Sequence, residues 1–385
     1  MSKAELKIVG FVEKHLLIIG VVSLTVISIM VCWSCIENQS WDYQHYLKIW
    51  WDGAKKHGGL PSLRIMFGDY NVPYMFCISV LTYITNDSLH ALKILSIIFN
   101  YVCAIGIGLI IYNITSDVKR GIAGYCITIF SPTLILNSAY WGQCDAIYCA
   151  FLLLCILQLL REHYAIAFAF FSIAFAFKLE AIFLLPILVM IYVISKKFSI
   201  INFLLIPAIF ILMSTPAIIA GRTIENIIFT AIDQTREYEY LTLNYPNFYT
   251  FIGGNYNDFK WFGIWLTLGI LAAILFIMMS KHIIISKNNL IALAMLASLA
   301  CVYFLPSMHE RYAMIVDLLS ICYFVTKFDF KSLTIALIIN IASLFSYFRF
   351  LWNINSWCWE FSSIALLGVI IYIGCDEIVV FKNQL

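Results

Sequence analysis

Residues 16–35 read LLIIGVVSLTVISIMVCWSC, twenty positions without a charged side chain. At about 1.5 Å per residue such a helix covers roughly 30 Å, the thickness of a bilayer's hydrocarbon core. A secretory signal has a shorter apolar core and a small-residue cleavage site, so the stretch reads as a retained first span. Lys3, Lys7 and Lys14 precede it, which predicts a cytoplasmic N-terminus because basic residues stay on that side.

The whole chain follows the same pattern. Hydrophobic residues are 62% of its 385 positions and charged residues 12%, with a mean hydropathy of +0.90. A soluble domain carries roughly twice that share of charge, and no single globular core hides so much apolar surface. Disordered chains, nucleic-acid binders and secreted disulfide scaffolds are excluded. The net charge of +2 sums 24 basic and 22 acidic residues and says little about partners. Most of the 12 cysteines lie in apolar runs, where Cys acts as a small hydrophobe. Cys32 and Cys35 form a CWSC, but no βαβ pattern surrounds it to suggest redox chemistry.

Further apolar runs fall near 89–112, 121–139, 146–160, 164–177, 181–194, 199–219, 261–280, 290–306, 312–326, 332–346 and 361–375. Lys119/Arg120, Arg161, Lys196/Lys197, Lys281/Lys287, Lys327/Lys331 and Lys382 occupy alternate connections, as the cytoplasmic side requires. The expectation is an all-α polytopic membrane helix bundle of about 12 transmembrane helices (range 11–13). Residues 72–84 form an apolar run of only 13, a length typical of re-entrant, interfacial or buried segments. Counting it as a span would put Lys119/Arg120 outside, so it stays in the first outer loop. No repeat or linker divides the chain, so 1–385 reads as a single membrane domain with long outer loops at 36–88 and 220–260.

The first outer loop holds WDYQHYLKIWWDGAKKHGG, residues 41–59. Tyr43, Leu47, Trp50 and Ala54 recur at helical spacing with Trp51 beside them, which predicts a helix lying in the headgroup layer. Asp42, His45 and Asp52 fall on the opposite face, and Gly58-Gly59 and Pro61 end the helix. Asp42 is then either a solvated helix-start charge or a site residue just outside the bilayer. Asp69, in GDYN 68–71, has the same two readings. An Asp42/His45 metal half-site lacks a third ligand.

Asp145 follows Trp141 and Gln143 in SAYWGQCDAIY and is either an interfacial cap or a site residue. Lys178 and Glu180, in AFAFKLEAIF, are either a tight outer turn with a snorkelling lysine or a functional pair facing a cavity. LPSMHERY, residues 305–312, brings His309, Glu310 and Arg311 together between two spans. Arg and His match phosphate oxygens, although a local ion pair in an outer turn explains them too. In 220–260, Arg222, Asp233, Arg236, Glu237 and Glu239 read as solvated charges. NYPNFY and IGGNYND suggest an aromatic, turn-rich surface that stacks on sugar rings or anchors the loop.

Taken in order, WDYQHYLKIWWDGAKKHGG, GDYNVPY, NSAYWGQCDAIY, AFKLEAIFLLP, LNYPNFYTFIG and PSMHERY resemble multi-span glycosyltransferases of the GT-C superfamily. The similarity is greatest to bacterial members of the dolichyl-phosphate-mannose or polyprenyl-phosphate-sugar type, and it runs from about residue 10 to residue 320. The resemblance implies a module of seven spans with long outer loops after the first and the seventh. It implies a catalytic acid in the first outer loop, matched by Asp42 with Asp69 as the second candidate; relatives often pair two acids there, where this chain has Trp41. Lys178, His309 and Arg311 would meet the donor phosphate, with Gln143, Asp145 and Glu310 completing the substrate-binding set. The implied donor is a polyprenyl-phosphate sugar and the acceptor a cell-surface glycan or its lipid-linked intermediate, joined by direct inverting displacement. No cofactor is implied, although some relatives use a divalent metal. The implied location is the bacterial cytoplasmic (inner) membrane with the site facing the periplasm, and no nucleic-acid partner follows. A lipid-linked sugar flippase or transporter and a polysaccharide polymerase are the alternatives.

Overall fold

The computed structural model describes residues 2–65, 67–235 and 237–379; Arg236 and Lys382 lie outside them. The helices are α1 (Lys3–Ser34), α2 (Lys48–Lys56), α3 (Val72–Leu81), α4 (Ser88–Thr115), α5 (Val118–Ile129), α6 (Pro132–Ile135), α7 (Asp145–Leu160) and α8 (Tyr164–Phe177). They continue as α9 (Leu185–Ser195), α10 (Leu205–Ile219), α11 (Ile224–Gln234), α12 (Tyr256–Ser280), α13 (Leu290–Phe304), α14 (Met314–Lys327), α15 (Phe330–Trp352) and α16 (Cys358–Val379). Two-residue strands β1 (Thr242–Leu243) and β2 (Met308–His309) pair in parallel. The fold is an all-α membrane bundle.

All twelve apolar runs are helical, but fewer are long enough to cross a bilayer unaided. Among the described residues six helices meet that length and apolarity, starting at Glu5, Ser88, Ile200, Tyr256, Phe330 and Cys358. A seventh span arises if α5 and the Pro132–Trp141 segment count as one, bent by 47°. The bend replaces the straight span expected at 121–139, and Pro132 causes it. Its ring removes a helical N–H and pushes the preceding residue out of the α region.

The short helices have a common physical explanation. Every side chain of α13 is buried, as are most of α7 and α14. A helix apolar all round suits either lipid or a protein core, and the burial of these three puts them in the core. At about 1.5 Å per residue α13 is only ~22 Å long. Asp145 begins α7, Lys178 caps α8, and the 305–312 turn separates α13 from α14. The central helices that stop short are those whose ends carry polar residues, so a recess forms in one end of the bundle. Away from the recess, α4 and α5 pack with Gly108 against Gly121. A Cβ on either would lie 2.9 Å from the other's carbonyl oxygen, the close backbone approach that small residues permit between membrane helices.

The stripe Tyr43, Leu47, Trp50, Trp51 and Ala54 faces protein rather than lipid. All five are buried, in a cluster with Leu63, Met75, Ile78 and Phe210. Helical periodicity shows that one face is apolar, not whether lipid or protein covers it. Residues 72–81 form a ten-residue helix, α3, that packs into the same cluster, about half the length of a span. Gly58 and Gly59 end α2 with φ of +81° and +73°, backbone values that suit glycine.

Candidate active site

Two π-helical turns, Tyr43–Leu47 and Leu136–Trp141, border the recess, and such turns re-aim side chains at functional sites. Asp42 immediately precedes the first. Its Oδ2 accepts hydrogen bonds from Trp141 Nε1 at 2.9 Å and Gln143 Nε2 at 2.5 Å. Both donors sit at the exit of the second π-turn, and Gln143 Oε1 accepts from the Tyr70 hydroxyl at 3.2 Å. Oδ1 carries no hydrogen bond among the described residues. Asp42 is therefore a held, buried carboxylate (8% exposed) rather than a solvated helix-start charge.

Beneath it lies an ionic floor. Asp145 is fully buried and bonds the Lys178 ammonium directly. It also accepts from Asn137 Nδ2 at 2.8 Å and lies 3.5 Å from Arg311 Nε. Glu180 stands 3.7 Å from Lys178, and Glu310 bonds Arg311 Nη1 at 3.0 Å. The two cations expected to await a phosphate are thus already neutralised by buried acids. Burying an isolated ammonium or guanidinium costs several kcal/mol, so each is paired. Glu310, expected as a substrate ligand, is the partner of Arg311.

His309 reaches the recess by a different route. β1 is laid in register on β2, Leu243 against His309, and Ser307 Oγ donates to the carbonyls of Tyr238 and Tyr240. The second outer loop is thereby clamped onto the 305–312 turn. His309 is 8% exposed, and its Nε2 has no partner among the described residues. A buried ring nitrogen without a partner is costly, and here it is offered to whatever fills the space.

Asp42, Asp69, Gln143, Lys178, His309, Glu310 and Arg311 all line one cavity of about 240 Å³; Asp145 lies just below it. The structure therefore brings together the complete set of candidate residues. The sequence reading missed the aromatic wall of Tyr46, Trp50 and Tyr70, and the contribution of α15. Phe350 stacks on Trp141 at 4.7 Å, and Tyr347 bonds Asn137 at 3.2 Å. Glu237, expected as a solvated charge, and Tyr238 also reach the cavity. Their only signal was their place in a long loop rich in aromatics. Asp42 and His45 diverge: His45 turns to the Trp41 carbonyl at 2.9 Å and stacks on the Trp41 ring. Among the described residues no group of three His, Cys, Asp or Glu side chains could hold a metal ion.

The two acid candidates shift the same way and differ in their partners. Burial raises Asp42 above the ordinary carboxylate range and Glu310 adds to this, against the opposing pull of Arg311, Trp141 and Gln143. Asp69 is raised by burial, and Glu237 by burial and then by Asp69. Burial pushes Glu310 up as well, but His309 and Arg311 outweigh it and hold that carboxyl low. Asp42 alone combines an unshared oxygen, a raised basicity and two fixed donors. Gln143→Leu removes one donor to the carboxylate, so the Asp42 pKa should rise further. A hydrogen bond to a charged group is worth ~1.5–3 kcal/mol, which is about one pH unit or more. Any rate that needs ionised Asp42 should then lose its acid limb about one unit higher, with its alkaline plateau kept. An unmoved limb in a pH–rate profile would show that the bond does not tune the group.

No protein-family model matches the chain, and comparison with curated proteins finds no match.

Proposed function

We propose that the chain is a GT-C-type integral membrane glycosyltransferase. It would move a sugar from a polyprenyl-phosphate donor to an extracytoplasmic acceptor, a cell-surface glycan or its lipid-linked intermediate. One observation carries the reading: a positioned carboxylate and two buried cations converge on a single cavity at one end of a membrane bundle.

The chemistry follows from those groups. An acceptor hydroxyl is far too weak an acid to ionise at neutral pH, so a base must take its proton as attack begins. Asp42 Oδ1 receives that proton while the acceptor oxygen bonds to the anomeric carbon. The bond from that carbon to the phosphate oxygen breaks, and its electron pair leaves with the polyprenyl phosphate. Attack opposite the leaving group inverts the anomeric configuration. Arg311, Lys178 and, as an N–H donor, Nε2 of His309 stabilise the charge growing on the phosphate, more effectively in a closed site than in water. The acids that already neutralise the two cations hold them in place before substrate arrives. The aromatic wall offers faces on which a sugar ring stacks.

The lipid tail has a seat beside this cavity. An apolar groove of about 440 Å³ runs between α9, α12 and α13, lined by Ile182, Leu185, Val189, Leu268, Leu271 and Leu305. Ile182 is two residues from Glu180 and Leu305 four from His309, so phosphate and tail sites adjoin.

Twelve crossings fit the pairing of loops. Arg120 Nη1 bonds the Thr326 carbonyl at 3.0 Å, and Lys197 bonds Glu162 at 2.6 Å, so basic connections meet one another and not the cavity. On this reading the protein sits in the bacterial cytoplasmic membrane with its site facing the periplasm. A transporter would gather its ionisable groups at mid-membrane depth, whereas these gather at helix ends. The test is purified protein in liposomes supplied with polyprenyl-phosphate sugars and a periplasmic glycan extract. Release of free polyprenyl phosphate that depends on acceptor is expected; movement of donor between leaflets with no release would overturn the reading in favour of a flippase.

A further inference from the structure

Lys93 lies in the second turn of α4 within SLHALKILSIIFN and is fully buried. A cation inside an apolar run ordinarily has a carboxylate partner, because an unpaired buried charge is expensive. Among the described residues Lys93 has no ion pair. Its Nζ instead donates to backbone carbonyls: Ile36 at 2.9 Å, Asn38 at 2.5 Å and Tyr140 at 3.0 Å, with Cys35 at 3.4 Å. Those oxygens come from two separate segments, the exit of α1 and the end of the second π-turn. Two further bonds close the same junction, Asn38 Nδ2 to the Tyr140 carbonyl at 3.0 Å and Ser40 Oγ to the Trp141 carbonyl at 2.6 Å.

What each segment carries matters. The first leads in four residues from Asn38 to Asp42. The second leads directly from Tyr140 to Trp141 and Gln143, the two donors to the Asp42 carboxylate. We infer that Lys93 is a positioning residue for Asp42, stapling the backbone that bears the carboxylate to the backbone that bears its donors. The inference rests on the proposed role of Asp42 for its catalytic consequence, but the coupling itself is a property of the fold. Lys93 touches neither the cavity nor Asp42. It acts because its ammonium protons satisfy carbonyls of both segments at once.

Without the staple the two segments separate, Trp141 and Gln143 lose alignment, and the carboxylate loses stabilisation. The groups lining the cavity with Asp42 are unaltered by this change: Asp69, Lys178, Glu180, Glu237, His309, Glu310 and Arg311. Because Lys93→Met also removes a positive charge, the charge-keeping Lys93→Arg and the neutral Ser40→Ala, which loses the bond to the Trp141 carbonyl, are what tie a shift in the Asp42 titration to the junction. The experiment is pH-dependent labelling of Asp42 by an apolar carbodiimide, which attacks protonated carboxyls, in the full-length protein in liposomes. Labelling is quantified on the Asp42 peptide by mass spectrometry.

In Lys93→Met the labelling midpoint should rise by about one pH unit, and in Lys93→Arg by less, since a cationic donor remains. The turnover of Lys93→Met should fall about 10- to 100-fold, as misplacing a reacting group does, with the KM for donor unchanged. A midpoint equal to wild type in folded Lys93→Met would overturn the inference, because a merely structural lysine lowers yield without moving Asp42. Should that variant not assemble, Ser40→Ala opens the same junction and should move the midpoint the same way; no movement there is equally fatal. A shifted midpoint in a protein that transfers no sugar would remove the proposed function and leave the Lys93–Asp42 coupling intact.

Discussion

Asp42→Asn should assemble in the membrane at the wild-type level and transfer sugar about 10³-fold more slowly, the middle of the range that a positioned general base contributes. Asn has the shape of Asp and keeps an oxygen that Trp141 Nε1 and Gln143 Nε2 can reach, so the local fold survives the change. Its amide cannot take a proton from an acceptor hydroxyl, so the loss falls on turnover. Donor KM should stay near wild type, because the phosphate contacts belong to Arg311, Lys178 and His309. Asp69 supplies the internal control. It sits at the rim of the same cavity without the two donors, and Asp69→Asn should lose far less than Asp42→Asn. If the effects were reversed, the base would be Asp69. If neither variant lost activity, no enzyme acting through these acids would remain.

That contrast also shows where the sequence was legible. The six motifs from WDYQHYLKIWWDGAKKHGG to PSMHERY lie up to 270 residues apart, and the candidate residues they supply do meet around one cavity. The acid, the amide and the cations are polar groups in apolar surroundings, and such groups stand out against hydrophobic runs because burying them needs a reason. What could not be read were the partners. Asp145 and Lys178 are 33 residues apart, and nothing local says that they pair rather than face a ligand. Lys93 was less visible still, since its partners are backbone carbonyls, which every sequence contains.

The aromatic stripe along the first π-turn and α2 was half legible for another reason. Periodicity identifies Tyr43, Leu47, Trp50 and Ala54 as one face, but lipid and protein both cover such a face, and only the position of α3 and α10 decides between them. Length was legible at α7, α8, α13 and α14, whose helices closely follow the apolar runs at 146–160, 164–177, 290–306 and 312–326. What their shortness serves was not, since only the fold shows that their ends hold the floor of a cavity. The contribution of α15 through Tyr347 and Phe350 had no motif, because aromatic residues in an apolar run look like core.

The second large effect concerns stability. Asp145→Asn should cost ~3–5 kcal/mol, the usual consequence of removing one member of a buried ion pair, and should lower the melting temperature in detergent by several degrees. Asn matches the size of Asp and preserves the Asn137 contact on one side, so the cost is electrostatic rather than steric. Lys178 is left with Glu180 at 3.7 Å and Arg311 with Glu310 at 3.0 Å, a partial compensation for Arg311 and a poor one for Lys178. That asymmetry yields a sharper expectation. Adding Lys178→Met to Asp145→Asn removes the stranded charge and fills its volume with an apolar chain. The double variant should therefore be more stable than Asp145→Asn alone, the non-additivity expected of residues sharing one network. Adding Arg311→Met instead should not help, because it leaves Lys178 without Asp145 and takes from Glu310 its guanidinium partner. Equal melting of wild type and Asp145→Asn would mean that Lys178 and Arg311 are not held by this acid. The same outcome would remove the argument that the floor keeps its cations in place before a phosphate arrives.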